Sequence, residues 1–283
     1  MTTYKEIRGT QIEVVSSDPS NPVEGQVWYN STDQALKGRA VTTTGSWSTV
    51  NSMNTARKSL GGAGTATSAV AFGGNPSPNS ALTESWNGTN WSEVADLNTA
   101  RIVMGSAGAS NTAALAFGGT SDPPNRAQTE NWNGSSWTEV NDLNTARQGM
   151  GSAGVVATAA LAFAGYTSTT VAITESWNGT NWTEVNDLNE ARYNIRGSGP
   201  SNSAQLVFGG QPGTGPSTGK TEEWNGTNWS EQNDLNTARV GAVSATAGSP
   251  TSNLAFGGEG PPQLGSTEEW VVGTGVTRTF TDS

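Results

Sequence analysis

The stretch TESWNGTNWTEVNDLNEAR at 174–192 returns almost word for word at 83–101, 129–147 and 221–239. One reacting pocket needs one set of groups, so a catalytic motif is normally written once. A sentence repeated at a fixed period builds modules that bury their apolar faces only against their neighbours. Several landmarks keep the register. Arg57, Arg101, Arg147, Arg192 and Arg239 each end an Ala-Arg pair, at intervals of 44 to 47 residues. Phe72, Phe117, Phe163, Phe208 and Phe256 each close a short apolar run; four runs continue as Gly-Gly and the third as Ala164-Gly165. Trp86/Trp91, Trp132/Trp137, Trp177/Trp182 and Trp224/Trp229 are pairs five apart, and Trp270 begins a fifth pair that lacks its partner. Trp47, Trp91, Trp137, Trp182 and Trp229 each stand ten residues before their arginine.

Each period reads as four short strands. In the second, IVMGSAGAS is small and apolar, TAALAFGG is a buried run closed by glycines, and TENWNG and SWTEV alternate. Asn-Gly between alternating strands signals a hairpin, because both residues tolerate positive φ. No segment carries helical periodicity of useful length. Four strands in about 45 residues is the mark of a β-propeller blade, so the expected fold is all-β. Residues 25–57 fit a period from its second strand onward, with the first strand drawn from YKEIRGTQIEVV or missing. VTRTF near the C-terminus is the expected outermost strand of the last repeat. Six blades is the preferred count; five blades with residues 1–24 as a separate arm is the alternative.

Phe-Gly-Gly, then Glu-x-Trp, a turn, a second Trp and a loop ending in Arg resembles the kelch repeat, over roughly residues 25–283. The usual pair in that family is Tyr and Trp six apart, where this chain has Trp and Trp five apart. The family includes copper oxidases that use a Tyr–Cys cofactor and histidine ligands. This chain has neither Cys nor His, so that activity does not carry over. A second resemblance covers SSDPSNPVEGQVWYNSTDQALKG, which looks like segments near the start of virion proteins of tailed bacteriophages, especially marine ones. It implies a virion protein, of tail, fibre or capsid-decoration type, present in several copies beside other virion proteins.

Composition narrows the chemistry. The formal charge is −10 and no basic stretch could neutralise phosphates, which argues against nucleic acid and anionic membrane surfaces. Without cysteine or histidine there is no disulfide, no thiolate zinc site and no histidine base. No cofactor is expected and no zinc or copper; calcium, which takes oxygen ligands, stays open. MTTYKEIRGTQIEVV lacks the apolar core of a signal peptide, and no run has the apolar length of a membrane span. The expectation is synthesis in a host cytoplasm without membrane insertion.

The repeated groups are expected to be architectural. The tryptophans could form a sugar-stacking platform, but strict repetition favours packing between blades. Glu84, Glu130, Glu175, Glu222 and Glu268 recur with the arginines and read as carboxylate–guanidinium pairs, not as a ring of catalytic acids. The Asp-Leu pairs at Asp96, Asp142, Asp187 and Asp234 read as turn chemistry. Variation concentrates in the loops between second and third strands, at 75–82, 120–128, 166–173, 211–220 and 259–266. Loops on a rigid scaffold are where binding lives, and neutral drift in exposed turns is the bland alternative. Arg126, Tyr166 and Lys220 are the candidate contacts there, for a virion protein or a host-surface glycan or protein. Tyr193 and Arg196 break the pattern on an inner strand near the channel. The expected function is non-enzymatic; the alternative is a soluble glycan-binding protein or a carboxylate-dependent glycan hydrolase.

Overall fold

The computed structural model describes residues 12–20, 26–38, 49–121, 123–244, 252–259 and 265–271. Every described element is a strand, and each sheet is open. Trp47 and the expected terminal strand at 276–280 lie outside the described residues. The chain divides into two compact units, Met1–Val50 and Asn51–Ser283.

The first unit holds one three-stranded sheet, β1 (Glu13–Val15), β2 (Val27–Asn30) and β3 (Ala35–Gly38), in that order. β1 and β2 run parallel and β2 and β3 antiparallel, a pairing unlike that of the repeats. Asp18 ties this sheet together. It accepts hydrogen bonds from Trp28 Nε1 at 3.0 Å, Asn30 Nδ2 at 2.7 Å and Lys37 Nζ at 2.8 Å. The bond from Lys37, then those from Asn30 and Trp28, hold the Asp18 carboxyl at about 2, down from 3.8.

The second unit holds five repeated antiparallel sheets. The first is β4 (Gly61–Thr65), β5 (Ser68–Phe72), β6 (Thr83–Trp86) and β7 (Trp91–Val94); the second is β8 (Gly105–Ser110), β9 (Ala113–Phe117), β10 (Thr129–Trp132) and β11 (Trp137–Val140). The third is β12 (Gly151–Val156), β13 (Ala159–Phe163), β14 (Thr174–Trp177) and β15 (Trp182–Val185); the fourth is β16 (Arg196–Ser201), β17 (Ala204–Phe208), β18 (Thr221–Trp224) and β19 (Trp229–Glu231). The fifth shows β20 (Val243–Ser244), β21 (Ser252–Phe256) and β22 (Thr267–Val271). Strands stand in sequence order within each sheet. This propeller-like arrangement of five repeats, with a different N-terminal sheet, corresponds among the described residues to the five-plus-appendage count.

The cores lie between sheets. One cluster joins Val70, Phe72 and Leu97 of the first repeat to Ala114, Ala116, Trp132 and Trp137 of the second, and the next two seams repeat it. Trp132, Trp177 and Trp224 are almost wholly buried. A buried indole removes on the order of 200 Å² from water, worth about 5 kcal/mol before conformational costs. In the second, third and fourth pairs the second Trp reaches back one sheet. Trp137, Trp182 and Trp229 pack their rings on Phe72, Phe117 and Phe163, at 4.8, 4.8 and 5.4 Å. Their Nε1 atoms donate to Thr83, Thr129 and Thr174 Oγ1, at 3.0, 2.9 and 3.1 Å. Phe256 of the last sheet has no such partner among the described residues and is exposed.

The Asn-Gly hairpin is wider than its dipeptide suggests. Trp86 and Trp91 face each other, so the loop is the four residues 87–90. Only Gly88 has positive φ; Asn87 instead uses its Oδ1 to accept from the N–H groups of Thr89 and Asn90, both at 2.9 Å. An asparagine side chain able to bond its own turn favours that geometry over a two-residue loop.

The Phe-Gly step needs left-handed backbone, with φ near +60° at Gly73, Gly118, Gly209 and Gly257. A Cβ on Gly118 would lie 2.3 Å from Met150 Cε, and one on Gly73 2.4 Å from Met104 Cε. Ala164 holds the same conformation with a methyl group. Its neighbour in the next repeat is Ile195, which has no ε-carbon, and both are fully buried in one cluster. The two departures from the pattern compensate each other.

Two expectations follow from this packing. Ala164→Gly alone should be close to neutral, since relief of left-handed strain, about 1–2 kcal/mol, offsets a methyl-sized void of about 1 kcal/mol. Ile195→Met alone should cost about 1–3 kcal/mol by overpacking, and the double variant should recover it; urea midpoints that add without coupling would refute the pairing. For Asp18 the folded-state value is depressed, so its contribution is complete above about pH 4 and lost as pH falls towards 2. A carboxyl NMR titration of the full chain should give a midpoint near that lower value, and one near 3.8 would contradict it.

Candidate functional site

The third-strand glutamates are paired with arginines. Each arginine that ends a sequence repeat folds into the following sheet and meets the glutamate on its third strand: Arg57–Glu84 at 3.1 Å, Arg101–Glu130 at 2.7 Å, Arg192–Glu222 at 2.6 Å, and likewise Arg147–Glu175 and Arg239–Glu268. The guanidinium also donates to carbonyls; Arg192 Nη1 reaches Gly209 O at 2.8 Å and Lys220 O at 2.7 Å. The second carboxylate oxygen accepts from the connection itself, as Glu130 Oε2 does from Asn98 N at 2.7 Å and Nδ2 at 2.8 Å. Desolvation lowers the pKa of Arg101 and Arg192, and their glutamates oppose it. The aspartates, expected in local turn chemistry, reach across 13 residues instead: Asp96, Asp142, Asp187 and Asp234 accept from the N–H of Thr83, Thr129, Thr174 and Thr221, the first residues of the third strands.

First strands of successive repeats stand side by side around a cavity of about 990 Å³. The connections into them are chained by backbone bonds: Val103 N to Ser59 O at 3.0 Å, Gly149 N to Val103 O at 3.2 Å, Asn194 N to Gly149 O at 2.7 Å, Gly241 N to Asn194 O at 3.0 Å. Serines stitch the strands below, with Ser106 Oγ donating to Gly62 O and Ser244 Oγ to Gly197 O, both at 2.9 Å. Small residues dominate the lining because the strands approach closely. Among the described lining residues there is no carboxylate and one charged side chain, Arg196.

The variable loops share one end of the sheets with the connections between repeats. Paired bridges show this: Lys58 with Asn75, Ile102 with Thr120, Gln148 with Tyr166, Tyr193 with Gln211 and Val240 with Glu259. The three loop candidates divide there. Tyr166 is 36% exposed, and its ring packs on Tyr193 at 5.7 Å. Arg126 is half-buried and donates from Nε to Ser121 Oγ at 3.0 Å. Its neighbour Asn125 links this loop to the next repeat, donating to Tyr166 O at 3.0 Å and Thr167 O at 2.6 Å. Lys220 pairs instead with Glu231 at 3.3 Å and Glu190 at 3.8 Å, and these bonds raise its pKa. Among the described residues no hydrogen bond or ion pair joins Lys220 to the other two candidates.

Three residues at this end carried no signal of their own in the sequence. Asn125 and Gln211 matter through their positions; Tyr193 Oη donates to Gln211 Oε1 at 2.9 Å. Asn194 adopts φ +49°, a position filled by glycine in the repeats on either side, Gly149 and Gly241. Asparagine is the residue besides glycine that most readily takes that conformation, and this was the available clue. Among the described residues no group of three His, Cys, Asp or Glu could hold a metal, and no helix is long and apolar enough to cross a membrane. No protein-family model matches the chain, and no curated protein matches it.

Glu175→Gln tests the structural reading of the acids. It removes the counter-charge of a fully buried Arg147, so unfolding free energy should fall by about 3–5 kcal/mol. A urea midpoint unchanged from the parent protein would show that the pair does not hold the sheet.

Proposed function

We propose that this chain is a non-enzymatic virion structural protein of a tailed bacteriophage, of tail, fibre or capsid-decoration type. In this reading the kelch-like repeats form a scaffold that presents one variable end to a neighbouring virion protein or to the host surface. The observation that carries the non-catalytic part is the fate of the third-strand acids: Glu130, Glu175 and Glu222 are consumed by buried arginines, and the cavity lining has no carboxylate among its described residues. A hydrolase that works with two carboxylates needs a pair free to face a substrate. The division between a nearly copied scaffold and divergent loops supports presentation, because variation is densest in loops outside the seams. The virion setting draws support from the resemblance of SSDPSNPVEGQVWYNSTDQALKG to virion segments. Weak single contacts would suffice in an assembly with many copies, through multivalency.

Purified particles labelled with an antibody against this chain, viewed by negative-stain microscopy, should carry label at repeated positions. Unlabelled particles would sink the virion reading. Exchanging residues 166–173 for a Gly/Ser segment should leave folding intact and reduce attachment of particle or protein to its target. If that exchange, and the same exchange at 120–128 and 211–220, leaves attachment unchanged, the loop end is not the contact surface.

A further inference from the structure

The fourth repeat departs from the pattern at Tyr193-Asn194-Ile195-Arg196, at the entry to its sheet, and the fifth departs at the matching Ala242-Val243. Arg196 takes the register position of Gly61, Gly105 and Gly151, each facing the phenylalanine that ends the second strand. In those three sheets the glycine is obligatory: a Cβ would lie 2.4, 2.2 and 2.0 Å from the ring of Phe72, Phe117 and Phe163. The fourth sheet puts its largest cation there instead. Arg196 is water-exposed and lines the cavity. Its Nη1 donates to Ile195 O at 3.2 Å, and among the described residues no carboxylate pairs with it. The five repeated arginines each have one. The cavity walls pull its pKa below the ordinary arginine value, yet an arginine stays charged.

Above it on the same stretch stand an amide and an aromatic ring. Asn194 lines the cavity. Tyr193 is held by its bond to Gln211 and by the ring of Tyr166, and Asn125 in turn holds the backbone at Tyr166. Both tyrosines occupy bridge positions where other repeats carry Lys58, Asn75, Ile102, Thr120, Val240 and Glu259. Neither tyrosine lines the cavity itself, but Tyr193 directly precedes the lining residue Asn194, so the pair borders the mouth, where a ligand of one or two sugar rings would extend from Arg196. A cavity of about 990 Å³ is ample for such a ligand.

We propose that the cavity mouth at the fourth sheet binds an acidic sugar, its carboxylate on the Arg196 guanidinium and its ring against Tyr193 and Tyr166. The guanidinium fork matches a carboxylate in two parallel bonds. The tyrosine rings offer apolar faces to the C–H side of a pyranose, and the Asn194 amide can meet a hydroxyl or acetamido group. In a chain of net charge −10, screening confines each acid to about a Debye length, so one unpaired cation sets the local sign. This inference rests on the chain being a binding scaffold, not on where it is mounted.

The test is ligand-observed NMR and calorimetry on the full chain, with N-acetylneuraminic acid and glucuronic acid as probes and galactose, acetate and inorganic phosphate as controls. Both acidic sugars, or one of them, should saturate, with galactose at least about tenfold weaker, the scale of a charge-assisted hydrogen bond. Arg196→Gln should erase the acidic-over-neutral preference, and Arg196→Lys should restore part of it. Tyr193→Ala should weaken acidic and neutral sugars alike, with circular dichroism confirming the fold of each variant. Saturation by neither acidic sugar would overturn the proposal. So would acetate or phosphate binding as tightly as the sugars, or an Arg196→Gln variant that keeps the preference. Particle labelling is read independently, so failure here leaves the scaffold reading standing.

Discussion

The buried arginine–glutamate pair is the joint on which the second unit depends. It fixes where the connection from one sheet enters the next, because the arginine lies on that connection and the glutamate on the third strand of the sheet it enters. An isolated buried ion pair is a poor source of net stability, since desolvation cancels much of the attraction. Here carbonyls accept from the guanidinium Nη groups and the connection's own Asn N–H groups donate to the carboxylate, while Nε of Arg57, Arg101, Arg147 and Arg192 stays buried without a partner. Its value is register. Any slip of the connection by one residue would leave a buried charge unpaired, which makes misthreading costly.

The indole seams act at the other end of the same logic. Each second Trp needs the Phe and Thr of the preceding sheet, so no sheet completes its core alone. Stability then accrues at interfaces between neighbours, as in other repeat architectures. The exposed Phe256 on the last sheet shows the same dependence from its other side. Because the two kinds of joint sit in the copied part of the repeat, the loops can change without disturbing either.

Much of this was legible because the sequence contains its own alignment. Repetition marked Trp132, Trp177 and Trp224 as core and linked the recurring glutamates with the recurring arginines by co-occurrence alone. What it could not show was phase. Arg101 ends a sentence in the sequence but works in the next sheet, a fact carried by the loop's path. The Asn87 turn looked like a two-residue hairpin because the dipeptide says nothing of the side-chain bonds to Thr89 and Asn90. The N-terminal segment shares Trp and Arg spacing with the repeats, yet its described strands pair through a parallel β1–β2 contact that spacing cannot encode. Lys220 looked free among small residues because Glu190 and Glu231, its partners, are distant in sequence.

Duplication also explains why individuality is concentrated. In a chain of near-identical sheets the structural demands fall on every copy alike, so glycine stands at 61, 105 and 151 under a phenylalanine ring. A copy can depart only where its own surroundings have shifted to allow it. The fourth repeat shows such linked changes: Ile195 replaces methionine and makes room for Ala164, and one residue later Arg196 replaces glycine. Asn194 keeps the left-handed step that the backbone chain around the cavity requires, with φ +49° between Gly149 and Gly241. The framework bonds are therefore kept while the side chains facing the cavity change. Arg196 thus places a guanidinium where three sister sheets have glycine and the fifth has Val243, with the backbone path around the cavity unchanged.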